Sequence, residues 1–305
     1  PPAFSISTAV IEGKKININL EHEYDIAKVI VYLDETRIGQ TVISNFGSIS
    51  IGMENSLKNA QKLTVHAYDR YLNKATATVE LPFLSKGIHI AKKASSPPVL
   101  DGTHNDPCWE EAAWYPIDVV WLGMIPDSDD FSGRFKVTWT DDRLYILAEI
   151  TDDILSDRHP DPKADYWKDD CLEVFIDEDA SGGDHTYNYN AFAYHIALDG
   201  NVVDLDSDRT PRLYNDHVDV SRSEAGNVSI WEIGIKIFND GFRYGGSNTP
   251  VTLHSGKKMG LLVAYCDSDT TGDRESFIGS REINGSNKNL GWVTADVFGY
   301  LFLKD

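Results

Sequence analysis

The segment 166–177, YWKDDCLEVFID, puts a tryptophan, a cysteine and a glutamate on one short stretch of alternating hydrophobicity. Leu172, Val174 and Ile176 alternate with Cys171, Glu173 and Phe175. A strand here sends the first set to a core and turns Glu173 to the opposite face, with Trp167 at its start. The segment 191–198, AFAYHIAL, divides the same way: Phe192, Tyr194, Ile196 and Leu198 against Ala191, Ala193, His195 and Ala197. Three alanines and a histidine fill little volume, so beside Glu173 they leave a shallow polar trough. A second tryptophan, Trp292, lies in the polar context GSNKNLGWVTAD. Such a set suits a sugar ring. Flat aromatic rings cover its C–H faces with little side-chain entropy to lose, and a carboxylate or imidazole fixes its hydroxyls by directional hydrogen bonds.

Each of these residues also has an ordinary structural reading. Large aromatics dominate cores; Trp231, on one face with Ile233, Ile235 and Ile237, is expected there, as is Trp139, which alternates with Phe135 and Val137. Trp167 and Trp292 differ by their polar, loop-like surroundings. His195 reads equally as a satisfied histidine at a sheet edge.

The elements that must position these residues read almost entirely with period two. The alternation runs through 15–20, 28–33, 62–68 and 75–81, then 134–150, 171–177, 191–198, 228–237, 259–266 and 299–303. Turn residues part them at short intervals, and no strand–helix alternation suggests a parallel α/β fold. The fold class is all-β, in two domains: residues 1–87 and 88–305, with a linker expected at Lys92–Pro98, where Ser and Pro interrupt the pattern. The stretch LTVHAYDRYLNKATATVEL resembles the closing hairpin of bacterial immunoglobulin-like or fibronectin-like domains, which implies a spacer or docking role for the first domain.

The charge is unevenly placed. Residues 1–87 carry 9 Lys+Arg and 9 Asp+Glu, whereas the remainder carries 19 against 39 and so holds the whole net charge of −20. Such a surface repels phosphate backbones and anionic lipid heads, which argues against nucleic-acid and membrane partners. No run approaches the ~20 apolar residues of a membrane span. Cys108, Cys171 and Cys266 form no metal-ligand spacing, and one bridge among them is compatible with export. The start at Pro1-Pro2-Ala3, without Met, reads as a trimmed or mature form.

Residues from about 90 to 305 resemble family 9 carbohydrate-binding modules, related to a wider group of dopamine β-monooxygenase N-terminal-type sandwiches. Four ordered blocks carry the resemblance: VLDGTHNDPCWEEA at 99–112, VTWTDDRLYILAEITDD at 137–153, YWKDDCLEVFID at 166–177 and LGWVTADVFGYLFL at 290–303. It implies an antiparallel β-sandwich that binds chain ends of cellulose, xylan or related plant or marine polysaccharides without catalysis. It places the family's paired tryptophans on Trp167 and Trp292, its glutamate on Glu173, its asparagine on Asn289 and the polar residue of the neighbouring strand on His195. The arginine that some members carry on that strand is here Ala193, so the ligand preference is expected to differ. Many members hold structural calcium, which implies Asp152 and Asp153 as first candidates, supported by the Asp-rich 152–170 region. The resemblance further implies a secreted or cell-surface protein, a module of the kind that rides on glycoside hydrolases or surface proteins.

Three other functions compete. A glycoside hydrolase needs two carboxylates flanking the bond, but 48 acids make such pairs inevitable and therefore uninformative. No nucleophile elbow, HExxH, Walker loop or CxxC pair appears. A haem-binding electron-transfer sandwich would need Met124, Met259 or a histidine as axial ligand beside an apolar slot. A structural or adhesion module would carry the same sandwich with an empty clamp.

Overall fold

The computed structural model describes residues 4–12, 15–22, 26–33, 36–42, 48–52, 62–80, 88–269 and 272–305. The chain divides into two compact units, Pro1–Lys86 and Gly87–Asp305. Among the described residues of the first, seven antiparallel strands form two sheets. They are β1 (Phe4–Glu12), β2 (Lys15–His22), β3 (Lys28–Leu33), β4 (Thr36–Val42), β5 (Ser48–Gly52), β6 (Lys62–Tyr68) and β7 (Lys74–Glu80). One sheet runs β1-β2-β5 and the other β4-β3-β6-β7. Period-two alternation is what buries Val29, Val31, Leu63, Val65 and Ala67 on one face of the second sheet. The β6–β7 turn is closed by Asp69, whose Oδ1 accepts from the Tyr71 and Asn73 amides at 2.8 and 2.9 Å.

The second unit is built from β8 (Ile88–Lys93), a single helical turn α1 (Pro107–Glu111), β9 (Tyr115–Ile117), β10 (Val119–Gly123), β11 (Phe131–Trp139) and β12 (Leu144–Asp152). There follow β13 (Cys171–Asp177), β14 (Phe192–Ala197), β15 (Val202–Leu205), β16 (Pro211–Leu213), β17 (Val218–Ala225) and β18 (Val228–Ile235). It closes with β19 (Lys258–Asp267), β20 (Ser276–Gly279) and β21 (Gly299–Lys304). The main path of pairing is β16-β15-β14-β13-β19-β21-β8-β11-β12-β18-β17. Its two arms fold over one shared core. Leu172, Val174 and Ile176 of β13 and Phe192, Tyr194 and Ile196 of β14 belong to the same buried cluster as Ile146, Ile150, Trp231 and Ile233. Trp139 and Trp231 lie in this core, as their alternation requires.

Two expectations need correction. Lys92 and Lys93 are not linker: they end β8, which pairs in parallel with both β21 and β11, and the Ala94 amide donates to the Trp139 carbonyl at 2.8 Å. The alternating IHIA before them decides the backbone, and the Ser/Pro signal acts only beyond Ala94. These pairings also make the sandwich mixed rather than purely antiparallel. The span 134–150 is a hairpin, because the Thr140 amide bonds the Arg143 carbonyl at 2.9 Å and turns the chain between β11 and β12.

The start of the second unit is fastened by one buried acid. Glu232 Oε2 accepts from the Asp101 and Gly102 amides, each at 2.9 Å, while Oε1 accepts from the Trp109 indole at 2.9 Å. Gly102 makes this wrap with φ +79°, in the left-handed region open to glycine.

Candidate functional site

The outer face of β13 carries Cys171, Glu173 and Phe175, flanked by β14 and β19. The trough expected over the small residues of β14 is occupied at one end. Ala191 and Ala193 are buried with Phe175, Leu262, Phe298, Trp121 and Phe277 in a second apolar cluster on this face. What stays polar is the other end, around Glu173 and His195.

Glu173 is only 2% exposed. Its Oε1 accepts from the Cys266 thiol at 2.9 Å, faces His195 Nε2 at 3.1 Å and lies 3.9 Å from the Arg274 guanidinium. Burial pushes this carboxyl up, but His195 and then Arg274 outweigh it and hold it below the usual range. Burial lowers the imidazole, and the Glu173 charge overrides it and raises the net value. His195 Nδ1 also faces the Ala193 carbonyl at 3.1 Å. Both ring nitrogens therefore meet acceptors, which is the arrangement an imidazolium satisfies. Asp204 lies nearby on β15, its carboxyl pushed up to about 7 by burial, against amide bonds from Ala193 and Leu205.

The tryptophans come from two loops. Trp167 is 38% exposed and follows Tyr166, whose ring packs edge-on against both Trp167 (centroids 5.1 Å) and His195 (4.7 Å). Asp169 secures this loop, accepting from the Arg158 and His159 amides at 3.0 and 2.9 Å. Trp292 is 39% exposed. Its loop is tied to residues 183–185 by His185, which meets the Gly291 carbonyl through Nε2 at 2.7 Å and the Val293 carbonyl through its amide at 3.0 Å. Gly291 rests on Phe175: a Cβ there would lie 3.0 Å from the ring. One loop thus leads into β13 at Cys171, and the other sits on its outer face at Phe175. Asn289 is half-buried, its amide bonded to the Asn287 side chain at 3.0 Å. A cavity of about 70 Å³ opens beside His195 and Tyr166, lined also by Asp157, His159, Asp169 and Asp199.

A second centre is acidic. Carboxylate oxygens of Asp152, Asp170 and Asp267, all three buried, lie within 4.8 Å of one another. Asp130 joins Asp153 and Asp269 in one neighbouring triad, and Asp267 and Glu275 in another. Asp152 and Asp153, the two sequence candidates, thus fall in different triads. Asp152 accepts from Tyr265 at 2.7 Å, and Asp170 accepts from the Ser268 amide at 2.7 Å. Asp267 is 1% exposed, and neither of its carboxylate oxygens has a hydrogen-bond partner. Burial first, and neighbouring carboxylates second, push Asp152 to about 6, Asp267 to about 8 and Asp170 to about 9. Buried oxygens without donors, crowded by like charge, are the environment that a hard divalent cation relieves. The residues fit calcium. The 152–170 run pointed toward this centre; Asp130, Asp267, Asp269 and Glu275 lie too far off in sequence for spacing to betray them.

The sequence profile described as "Carbohydrate family 9 binding domain-like" matches residues 100–305. The chain belongs to this family. A solved family 9 carbohydrate-binding module from Caldicellulosiruptor kristjanssonii in complex with cellotriose superposes with TM-score 0.52 at 18% identity, covering 71% of this chain and 93% of that one. The same module with glucose gives 0.51, covering 70% and 95%. These likenesses bear on the fold of the family 9 domain. Among curated relatives, exoglucanase XynX of Acetivibrio thermocellus is 24% identical over 222 residues, 72% of this chain. Endo-1,4-beta-xylanase A of Thermotoga neapolitana is 28% identical over 93 residues, 30% of this chain. This chain spans 18% and 8% of the lengths of those two proteins.

Proposed function

We propose that the family 9 domain holds a terminal sugar ring between Trp167 and Trp292, with Glu173, His195 and Asn289 serving its hydroxyls, and performs no catalysis. The observation that carries this reading is the pair of half-exposed tryptophans on loops fixed to the outer face of β13, one leading into the Glu173 strand and one resting on Phe175. Stacking draws on preformed, stiff rings, so little entropy is lost on binding. The Glu173–His195 pair supplies charge-assisted hydrogen bonds at fixed positions. The names of the relatives, an exoglucanase and xylanases, favour cellulose, xylan or related polysaccharides, and their length favours attachment to a glycoside hydrolase outside the cell. The first unit, with its two antiparallel sheets, then acts as an immunoglobulin-like spacer.

Calcium is the cation this reading assigns to Asp152, Asp170 and Asp267, with Asp130, Asp153, Asp269 and Glu275 around them. Its role is structural: it neutralises the crowded acids at the ends of β12, β13 and β19.

Calorimetric titration with cellobiose, xylobiose and a panel of plant and marine oligosaccharides tests the clamp. Binding by the wild type that disappears in Trp167→Ala and Trp292→Ala, with circular dichroism unchanged, is the expected result. A wild type that binds nothing in the panel rejects the reading and leaves a structural or adhesion module. The haem alternative gains no support from its methionines, since Met259 is in the inner core and Met124 is on an exposed loop. A Soret band in the purified protein would revive it.

A further inference from the structure

Cys171 and Cys266 are 95 residues apart in the chain, yet they are register partners on the adjacent antiparallel strands β13 and β19. Both point to the outer face, where they share the second apolar cluster. Their sulfurs and a Glu173 carboxylate oxygen all lie within 4.8 Å of one another. Directly opposed residues on one face of an antiparallel pair have Cβ atoms roughly 4.5–5.5 Å apart, close to the span a disulfide bridges.

We propose that Cys171 and Cys266 are a modification site of this domain, closing a cross-strand disulfide when the chain folds in an oxidising compartment. In the reaction one cysteine thiolate attacks a sulfur of a disulfide oxidant such as oxidised glutathione, expelling one glutathione thiolate. The second cysteine then displaces the other glutathione from the mixed disulfide. The protein loses two protons and two electrons, and the oxidant leaves as two thiols.

The timing follows from burial. Both cysteines are at most 1% exposed. Burial pushes the Cys266 thiol far above its ordinary value; for Cys171 the contact with Cys266 pulls down, but burial leaves the net shift upward. A folded, reduced domain therefore offers little thiolate to an external oxidant, and the bridge must close before β19 is covered. A zinc site on the same residues is disfavoured. The Arg274 guanidinium lies 3.4 Å from Cys266 Sγ and 3.9 Å from Glu173 Oε1, setting a fixed positive charge beside the donors. Cys108 packs in a separate cluster with Trp109 and Leu147 and remains the odd thiol.

The bridge also changes Glu173. In the reduced form the Cys266 thiol donates to Oε1 at 2.9 Å; oxidation removes that proton and returns one acceptor position. On the sugar-binding reading, that position becomes available to a ligand hydroxyl.

The test is to fold the full chain in a glutathione redox buffer, then denature, alkylate with iodoacetamide and weigh it. One alkylated cysteine, mapped to Cys108, and a Cys171–Cys266 peptide lighter by two hydrogen atoms are expected. Reductant should lower the Tm of the oxidised wild type by roughly 5–15 °C. Cys171→Ser and Cys266→Ser should each show two alkylatable cysteines and no response to reductant. Three alkylated cysteines in the wild type after oxidative folding, or zinc retained through dialysis at one equivalent, would overturn the proposal. These readouts contain no sugar, so they stand or fall apart from the ligand reading.

Discussion

Glu173 and His195 are register partners across the β13–β14 ladder, with Nε2 of the imidazole 3.1 Å from Oε1 of the carboxylate. The antiparallel pairing puts both side chains on the outer face, and the same burial that would neutralise either one alone makes the pair ionic. The carboxyl is held down and the imidazole is held up. The pair's contribution to stability is therefore largest between those two values. It is lost as pH rises through the raised imidazole value and as pH falls through the depressed carboxyl value.

Replacing His195 by Gln is the direct check on that pair. Breaking a buried ion pair costs about 3–5 kcal/mol; the Arg274 guanidinium, 3.9 Å away, offsets part of this, so the lower end is expected. Urea unfolding at pH 6 and at a strongly alkaline pH should show the larger loss at pH 6, because the wild-type pair discharges as pH rises through the raised imidazole value. An equal loss at both pH values would show that the ring acts by packing alone.

The acidic centre adds a pH dependence of its own. Asp152, Asp170 and Asp267 have folded values raised to about 6, 9 and 8. In a chelator, the contribution of these acids to stability is fully present below the ordinary carboxylate value and is lost as pH climbs through the raised ones, because the native state must give up protons that it binds more tightly than the unfolded chain does. Calcium at a hundred times its dissociation constant adds about 2.7 kcal/mol and flattens the slope. Asp267→Asn should abolish the calcium-dependent rise in Tm while leaving the chelated protein no less stable. A Tm at pH 8 indifferent to both calcium and chelator would count against the cation.

The period-two reading found the strands where alternation is strict. Lys28–Leu33, Lys62–Tyr68 and Cys171–Asp177 fall where the pattern put them, because each has one apolar face and nothing local to compete. It also separated Trp139 and Trp231, which alternate with other core residues, from Trp167 and Trp292, which have polar neighbours. It failed where pairing is long-range. β8 pairs with β21 and β11, far off in the chain, and the four-residue β20 pairs with distant β10 as well as with its neighbour β19. The outward face of β14 looked open because its own residues are small, whereas Ala191 and Ala193 are buried in the same outer cluster as Phe175, Phe277 and Phe298. Of the triad Asp152, Asp170 and Asp267, the first two lie within the Asp-rich 152–170 run that the sequence showed, whereas Asp267 escaped because strand pairing brings it in from β19.

The contrast among the tryptophans can be measured. Trp231→Ala empties a fully buried site and should cost about 3–5 kcal/mol in urea unfolding. Trp167→Ala and Trp292→Ala remove rings more than a third exposed, and each should cost under about 1 kcal/mol. A Trp167 or Trp292 variant as unstable as the Trp231 one would identify that ring as structural and remove it from the clamp.

Gly291 offers the most selective probe of the Trp292 loop. A methyl group there would meet Phe175 at 3.0 and 3.2 Å and Leu262 at 3.5 Å. The ring has little room to retreat, since it is buried in the outer cluster and packs on Phe298 at 5.7 Å between centroids. The loop must therefore lift, carrying Trp292 with it and lengthening the contact between His185 and the Gly291 carbonyl. Gly291→Ala is expected to weaken sugar binding roughly tenfold, about 1.4 kcal/mol, with a smaller loss in urea stability. Phe175→Leu in the same chain makes room for the methyl group, so the double variant should recover part of the affinity. If titration shows two independent, additive losses instead, Gly291 does not set the height of Trp292 through Phe175.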